Sequence, residues 1–172
     1  MGIEGVNSRI ADIQSRIIAL QTQQATPAKS HKLNGKGIPV ELAAYGNGKI
    51  PANALEKVGS TGHKLWAPAA ESLTRMIADA KAQGVTIGIT DSYRTYDSQV
   101  ELAGRKGLYS QGGLAATPGT SNHGWGLAVD LDLDATAQQW MRDNAANYGF
   151  VEDTPREPWH WGYRPAATST AI

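Results

Sequence analysis

The hydrophobic period of this chain changes at Gly84. Before it, Leu65, Ala69, Leu73, Met76, Ile77 and Ala80 recur at helical spacing, and Pro68 suits a first helical turn. After it, Val85, Ile87 and Ile89 alternate with Thr86, Gly88 and Thr90, the period of a strand that delivers the chain at Asp91-Ser92-Tyr93-Arg94. A second alternation over 126–132 puts Leu127, Val129 and Leu131 on one side and Ala128, Asp130 and Asp132 on the other. Asp97 is placed to cap a helix through about Arg105, and Asp134 to cap one that runs to about Tyr148 and stops at Gly149. The last strand is predicted over Trp159 to Tyr163, and the Gly-, Ala-, Ser- and Thr-rich stretch from Gly107 to Asn122, with Pro118, is a long loop lying over something. Helices and strands in this order do not alternate regularly. The expectation is therefore an α+β domain with a small, mostly antiparallel sheet flanked by helices.

Ahead of that domain, Val6, Ile10, Ile13, Ile17 and Leu20 step by threes and fours, the spacing of a coiled-coil seam, so 1–24 is predicted as an amphipathic helix. Its stripe offers a surface for self-association or for a protein partner, and it carries no chemistry. Residues 25–37 mix Pro, Ser, Lys, Asn and Gly with little to bury and read as a linker, which sets the main domain at 38–165 and a frayed tail at 166–172. His31 in the linker and His63 in a Gly-rich stretch read as solvated loop histidines.

The 16 basic and 16 acidic residues cancel, so no long-range field draws the chain to nucleic acid. With no cysteine, disulfides, thiolate metal sites and cysteine nucleophiles are excluded, and any metal is held by His, Asp or Glu. No apolar run reaches the roughly 20 residues of a membrane span, and Met1-Gly2-Ile3-Glu4 lacks the basic segment and apolar core of a signal peptide.

Chemistry concentrates in two segments. His123 precedes the strand that carries Asp130 on its non-core face, and His160 opens the last strand three residues after Glu157. Two imidazoles and one carboxylate suit zinc with an open fourth position, the arrangement of catalytic rather than structural sites. Glu157, near such a metal and not bound to it, is placed as general acid and base, and Arg94, at a strand end, as the positive group facing a developing oxyanion. Each residue alone has a plainer reading. His123 and Asp130 could form a surface pair, Arg94 a salt bridge with Asp91, and Trp125, Trp159, Trp161 and Tyr163 core or rim packing.

The joint pattern resembles a known family. Ser92-Tyr93-Arg94 with Gln99, Pro118-Gly119-Thr120-Ser121-Asn122-His123 leading into Gly126-Leu127-Ala128-Val129-Asp130, and Tyr148-Gly149-Phe150 followed by Glu157-Pro158-Trp159-His160-Trp161 are similar to the D-alanyl-D-alanine carboxypeptidase branch of the lysostaphin, D-Ala-D-Ala peptidase and Sonic hedgehog superfamily. The likeness covers about Gly48 to Tyr163. It implies one zinc per chain on His123, Asp130 and His160, Glu157 as catalytic acid and base, and Arg94 polarising the substrate carbonyl. It further implies substrate contact at Ser121 and a weaker role for Gln99 in orienting substrate or loop; a carboxypeptidase cleft must be closed beyond the scissile bond, and the loop over 107–122 with the indoles of Trp159 or Trp161 is placed to close it against the peptide. The implied partner is a peptidoglycan stem peptide ending in D-Ala-D-Ala. Related L-alanyl-D-glutamate endopeptidases share the first metal motif but close with a Pro-His-Phe type segment, so Pro158-Trp159-His160-Trp161 favours the carboxypeptidase. A non-catalytic zinc-binding recognition module is the third reading, and it leaves Glu157 and Arg94 without a purpose. The implied site of action is outside the cytoplasm, with the export route unstated by these residues.

Overall fold

The computed structural model describes residues 13–14 and 30–166. The chain divides into two units, Met1–Ser30 and His31–Ile172. Of the first, Ile13 and Gln14 are helical and exposed; the rest of the predicted helix over 1–24, with its proposed partner surface, lies outside the described residues, as do 25–29 and 167–172.

In the second unit the order is α1 (Val40–Ala43), a 3₁₀ turn (Ala52–Ala54), β1 (Glu56–Lys57), β2 (Lys64–Leu65), α2 (Ala67–Ala82), β3 (Gly88–Asp91) and α3 (Tyr96–Lys106). After the 3₁₀ turns Tyr109–Gln111 and Asn122–Trp125 come β4 (Ala128–Asp132), α4 (Ala135–Asn144) with a 3₁₀ extension (Ala145–Tyr148), β5 (Phe150–Val151) and β6 (His160–Tyr163). β1 and β2 form a short antiparallel pair, and the other four strands make an antiparallel sheet in the order β3-β4-β6-β5. This is the α+β architecture expected from the change of period.

The helical stripe buries Ala69, Leu73, Met76 and Ala80 against Val129, Leu131, Met141, Phe150 and Trp161, which form the main core. Leu65 belongs to that core but not to the helix. It sits on β2, because Lys64–Leu65 pairs with Glu56–Lys57 and the Trp66 N–H is taken by the Gly126 carbonyl at 3.0 Å before the helix begins. Val85 and Ile87 are buried in strand-like alternation, but ladder pairing starts only at Gly88. The cap of α3 is Thr95, whose side chain accepts from the Ser98 N–H at 3.2 Å; Asp97 sits in the first turn, where a negative charge faces the positive helix end. Asp134 caps α4 as expected, accepting from the Ala137 N–H at 2.8 Å. A second cluster of Ile38, Leu42, Ile50, Leu55, Trp66 and Leu127 lies beside the β1–β2 pair.

The unit begins at His31, ahead of the boundary that composition suggests. The His31 N–H donates to the Ala166 carbonyl at 3.0 Å, and its ring packs edge-on to Trp66 at 4.5 Å and pairs with Glu41 at 3.2 Å. His63 is likewise half-buried, with Nδ1 3.0 Å from Ser92 Oγ. Neither is a free loop histidine, since each ring has a tertiary partner that local sequence does not reveal. Among the described residues no helix is long and apolar enough to cross a membrane.

Leu73 has no exposed surface and sits in the middle of the main core. Leu73→Ala is expected to cost about 2–5 kcal/mol in urea unfolding, from lost transfer energy plus the cavity left behind. A loss below about 1 kcal/mol would show that this helix face does not carry the core.

Candidate active site

The site is set by a row across the sheet. Asp91 on β3 pairs with Asp130 on β4, and Asp130 pairs with His160 on β6. Side chains alternate along a strand, so Val129 and Trp161 on the neighbouring row point to the opposite, core-filling face. β3 would break this parity if it paired regularly, because Ile89 opposes Leu131 and Asp91 would then meet Val129. A one-residue irregularity between Ile89 and Asp91 slips the register, so Asp91 reaches the face of Asp130 instead.

His123 arrives from the 3₁₀ turn Asn122–Trp125. Ser121 caps that turn, its Oγ accepting from the His123 N–H at 3.2 Å, and the Asn47 side chain holds the Ser121 carbonyl at 2.7 Å. Asn47 leaves no room at Gly124, where a Cβ would come 2.2 Å from its Oδ1. The Gly124 carbonyl accepts from the Gly48 N–H, and the Gly48 carbonyl from the Tyr96 N–H. The turn that carries His123 is thus tied to the start of α3.

Three donor atoms converge there. His123 Nε2 lies 3.2 Å from His160 Nδ1 and 3.3 Å from Asp130 Oδ1, and His160 Nδ1 lies 3.1 Å from the same oxygen. Ligands about 2.0–2.1 Å from a tetrahedral zinc stand roughly 3.3–3.4 Å apart, so this triangle has the dimensions of one face of such a tetrahedron. The donor chemistry agrees with the spacing. His123 Nδ1 is 2.7 Å from the Ser92 carbonyl, an acceptor that places the ring's proton on Nδ1 and leaves the Nε2 lone pair pointing into the triangle. Burial opposes the charge of Asp130, yet the two imidazoles, when they carry a proton toward it, outweigh burial and hold the carboxyl well below the usual range; a cation shared by the three donors takes over that task when the lone pairs face inward. Lone pairs and a negative charge brought this close call for a cation.

Around the triangle a cleft of about 460 Å³ is lined by Arg94, Ser121, Glu157 and Trp159 as well as the three donors. Glu157 is buried, and its side chain takes no hydrogen bond from the described residues. Burial raises its carboxyl above the ordinary range and the Asp130 charge adds to this, against the opposing pull of His160, His123 and Arg94. Arg94 is held from behind. Nε donates to Asp91 Oδ2 at 3.0 Å, Nη2 bonds the same oxygen, and Nη1 donates to Gln99 Oε1 at 2.7 Å, while Nη2 lies 3.6 Å from Asp130 Oδ2. The salt bridge with Asp91 is present, and it aims Arg94 at the cleft.

Gln99 does not line the cleft. It is buried behind Arg94, and its Nε2 donates to the Ala116 carbonyl at 2.8 Å, so it joins the arginine to the long loop. Trp161 is in the core and takes no part in closing the cleft, whereas Trp159 is on the rim, 38% exposed. Tyr109 and Leu114 bring the loop over 107–122 onto the cleft wall, as expected of a loop lying over something. Sequence reasoning paired Asp91 with Arg94 but missed Asn47 and the Ser92 carbonyl. Backbone acceptors leave no trace in side-chain identity, and Asn47 lies 74 positions from the carbonyl it holds.

Fold and site define a class: an α+β domain with a cluster of two histidines and one aspartate, able to hold a metal ion, at the face of an antiparallel sheet. Residues 62–166 match the VanY family, D-alanyl-D-alanine carboxypeptidase, and the chain belongs to that family. It is 29% identical over 155 residues to a D-alanyl-D-alanine carboxypeptidase of Enterococcus faecalis, covering 72% of this chain and only 58% of that enzyme. Among solved structures it is similar to a vancomycin resistance D,D-pentapeptidase VanY, a mutant from a VanB-type cassette in complex with Zn(II), with 28% identity, TM-score 0.54, and 66% of this chain and 82% of that chain covered. VanYB in complex with D-alanine-D-alanine gives 28% identity and TM-score 0.55 over 67% of this chain and 81% of that one. The LD-carboxypeptidase LdcB gives 26% identity and TM-score 0.55 over 69% and 71%.

Asn47→Ala removes the donor to the buried Ser121 carbonyl. The expected result is a loss of about 1–3 kcal/mol in chemical unfolding, the usual cost of an unsatisfied buried polar group. Unchanged stability would mean that the turn carrying His123 is held by other contacts.

Proposed function

We propose that this chain is a zinc-dependent D,D-carboxypeptidase that releases the terminal D-alanine from peptidoglycan stem peptides ending in D-Ala-D-Ala, acting at the cell wall. The observation that carries the reading is the 3.1–3.3 Å triangle of His123, Asp130 and His160 facing the same cleft as Arg94 and Glu157, in a member of the VanY family. The three donors hold one zinc ion. The similar VanY structures, one with Zn(II) and one with D-alanine-D-alanine, support both the metal and the substrate.

A zinc ion held there supplies a water acidified from a pKa of about 15.7 to near 7 and a positive charge for the scissile carbonyl. Glu157 takes the proton of the attacking water and returns it to the leaving amine of D-alanine, so one C–N bond breaks as one C–O bond forms. Burial raises its pKa, which strengthens it as the base that takes the proton from the water. Arg94, with Nη hydrogens not used by Asp91 and Gln99, stabilises the carbonyl oxygen as it gains charge. Ser121 and Trp159, on the cleft wall, contact the peptide.

Glu157→Gln keeps the size of the side chain but removes the proton acceptor. Metal analysis is expected to find zinc still bound at about one per chain, with turnover lowered by roughly 10² or more. Full activity in this variant would remove Glu157 from the chemistry.

A stem pentapeptide ending in D-Ala-D-Ala is expected to lose one D-alanine and yield a tetrapeptide by mass spectrometry. Amidating its terminal carboxylate is expected to slow cleavage 10-fold or more, about 1.4 kcal/mol for a lost charge-assisted contact. Release of an L-alanine fragment with the D-Ala-D-Ala end intact would replace the carboxypeptidase by an endopeptidase. Cleavage only of a tetrapeptide, at its bond between an L- and a D-residue, would place the chain with the LD-carboxypeptidases.

A further inference from the structure

His160 meets a partner on each edge of its ring. Nδ1 faces Asp130 in the donor triangle, while Nε2 lies 3.4 Å from Asp153 Oδ1. Asp153 is itself held: its side chain is 12% exposed, Oδ1 accepts from Thr154 Oγ1 at 3.3 Å, and Oδ2 accepts from Arg164 Nη2 at 3.0 Å. The neighbouring strand has been cleared for it. A Cβ at Gly162 would stand 2.3 Å from Asp153 Oδ2 and 2.9 Å from its Cγ, so the carboxylate fills the volume that a side chain on β6 would take.

We propose that Asp153 is a positioning residue of the metal site, accepting the Nε2–H of His160 and so directing the Nδ1 lone pair at the metal. The inference rests on the reading of His160 as a zinc ligand. A neutral imidazole carries one proton, and the acceptor on its far edge decides which nitrogen keeps it. The two histidines are turned in opposite senses: His123 gives its Nδ1 proton to the Ser92 carbonyl and offers Nε2, whereas His160 gives its Nε2 proton to Asp153 and offers Nδ1. Gly162 serves this arrangement by its lack of a side chain, and Arg164 steadies the carboxylate from outside.

The test is zinc affinity of the full chain, measured by competition with a chromophoric chelator, so that it does not depend on turnover. Asp153→Ala is expected to weaken zinc about 10- to 100-fold. Asp153→Asn, whose amide oxygen can still accept from Nε2–H, is expected to stay closer to the wild-type value. Gly162→Ala is expected to weaken zinc in the wild-type background, by displacing the carboxylate, and to add nothing to Asp153→Ala. Wild-type affinity in Asp153→Ala, an Asn variant no better than Ala, or additive effects of the two substitutions would each overturn the role. If Asp153→Ala does not fold, Gly162→Ala alone decides, with unchanged zinc binding overturning the proposal. A wild-type chain that takes up no zinc would instead bring down the metal reading itself, an outcome separate from unchanged variants of a zinc-binding parent.

Discussion

The pairing of Asp130 with Asp91 on one side and His160 on the other is the constraint on which the rest of the site depends. It places two chemistries in one row: a carboxylate that anchors Arg94, and a carboxylate and imidazole that belong to the cluster able to hold a metal. Strand parity makes the row unforgiving. A shift of one residue in either ladder would exchange Asp130 for Val129 or Leu131 and fill the cleft with core side chains. The irregularity in β3 is therefore a functional feature, because it lets Ile89 stay with the core while Asp91 turns to the site.

The electrostatics follow from this row. Asp130, Asp91, Asp153 and Glu157 crowd negative charge into a largely buried volume, and Arg94, Arg164 and the two imidazoles offset only part of it. The groups respond according to their partners. Asp130, flanked by His123 and His160, stays ionised despite burial, whereas burial raises the pKa of Glu157, whose side chain takes no hydrogen bond among the described residues. Two carboxylates on one cleft thus have their pKa values pushed in opposite directions, as the proposed division between metal ligand and acid–base group requires.

The walls of the cleft come from segments far apart in the chain. Tyr109 in the long loop donates through its hydroxyl to the Pro155 carbonyl, and the Arg156 guanidinium stacks 4.6 Å over the Tyr109 ring and donates to the Gly113 carbonyl at 3.3 Å. The long loop and the loop that brings Glu157 are clasped together. Gln99 ties the same long loop to Arg94 through the Ala116 carbonyl. Orientation of the arginine, placement of the acid and the shape of the cleft are consequently coupled.

Much of this was legible in order along the chain. The period change at Gly84, the alternation from Gly126 to Asp132 and the cap at Asp134 state the helices, the strands and which strand face is apolar, since these depend on spacing of three or four residues. Residue chemistry likewise named His123, Asp130, His160, Glu157 and Arg94, which now face one cleft. What lay beyond reach was every feature made by contact between distant segments. Leu65 looked helical because its strand partner, Glu56, is nine positions away, Asp97 was read as a cap that Thr95 provides, and His31 and His63 looked solvated because their partners Trp66 and Ser92 lie elsewhere in the chain. Trp161 was a candidate for closing the cleft, but strand parity turned it into the core, and Gln99 bonds the long loop from behind Arg94 rather than lining the cleft. The sequence by itself determined which side chains could do the chemistry and on which local elements they ride; only the tertiary structure decided that Asp91, Asp130 and His160 share a row, because register is an agreement between strands that no single strand contains.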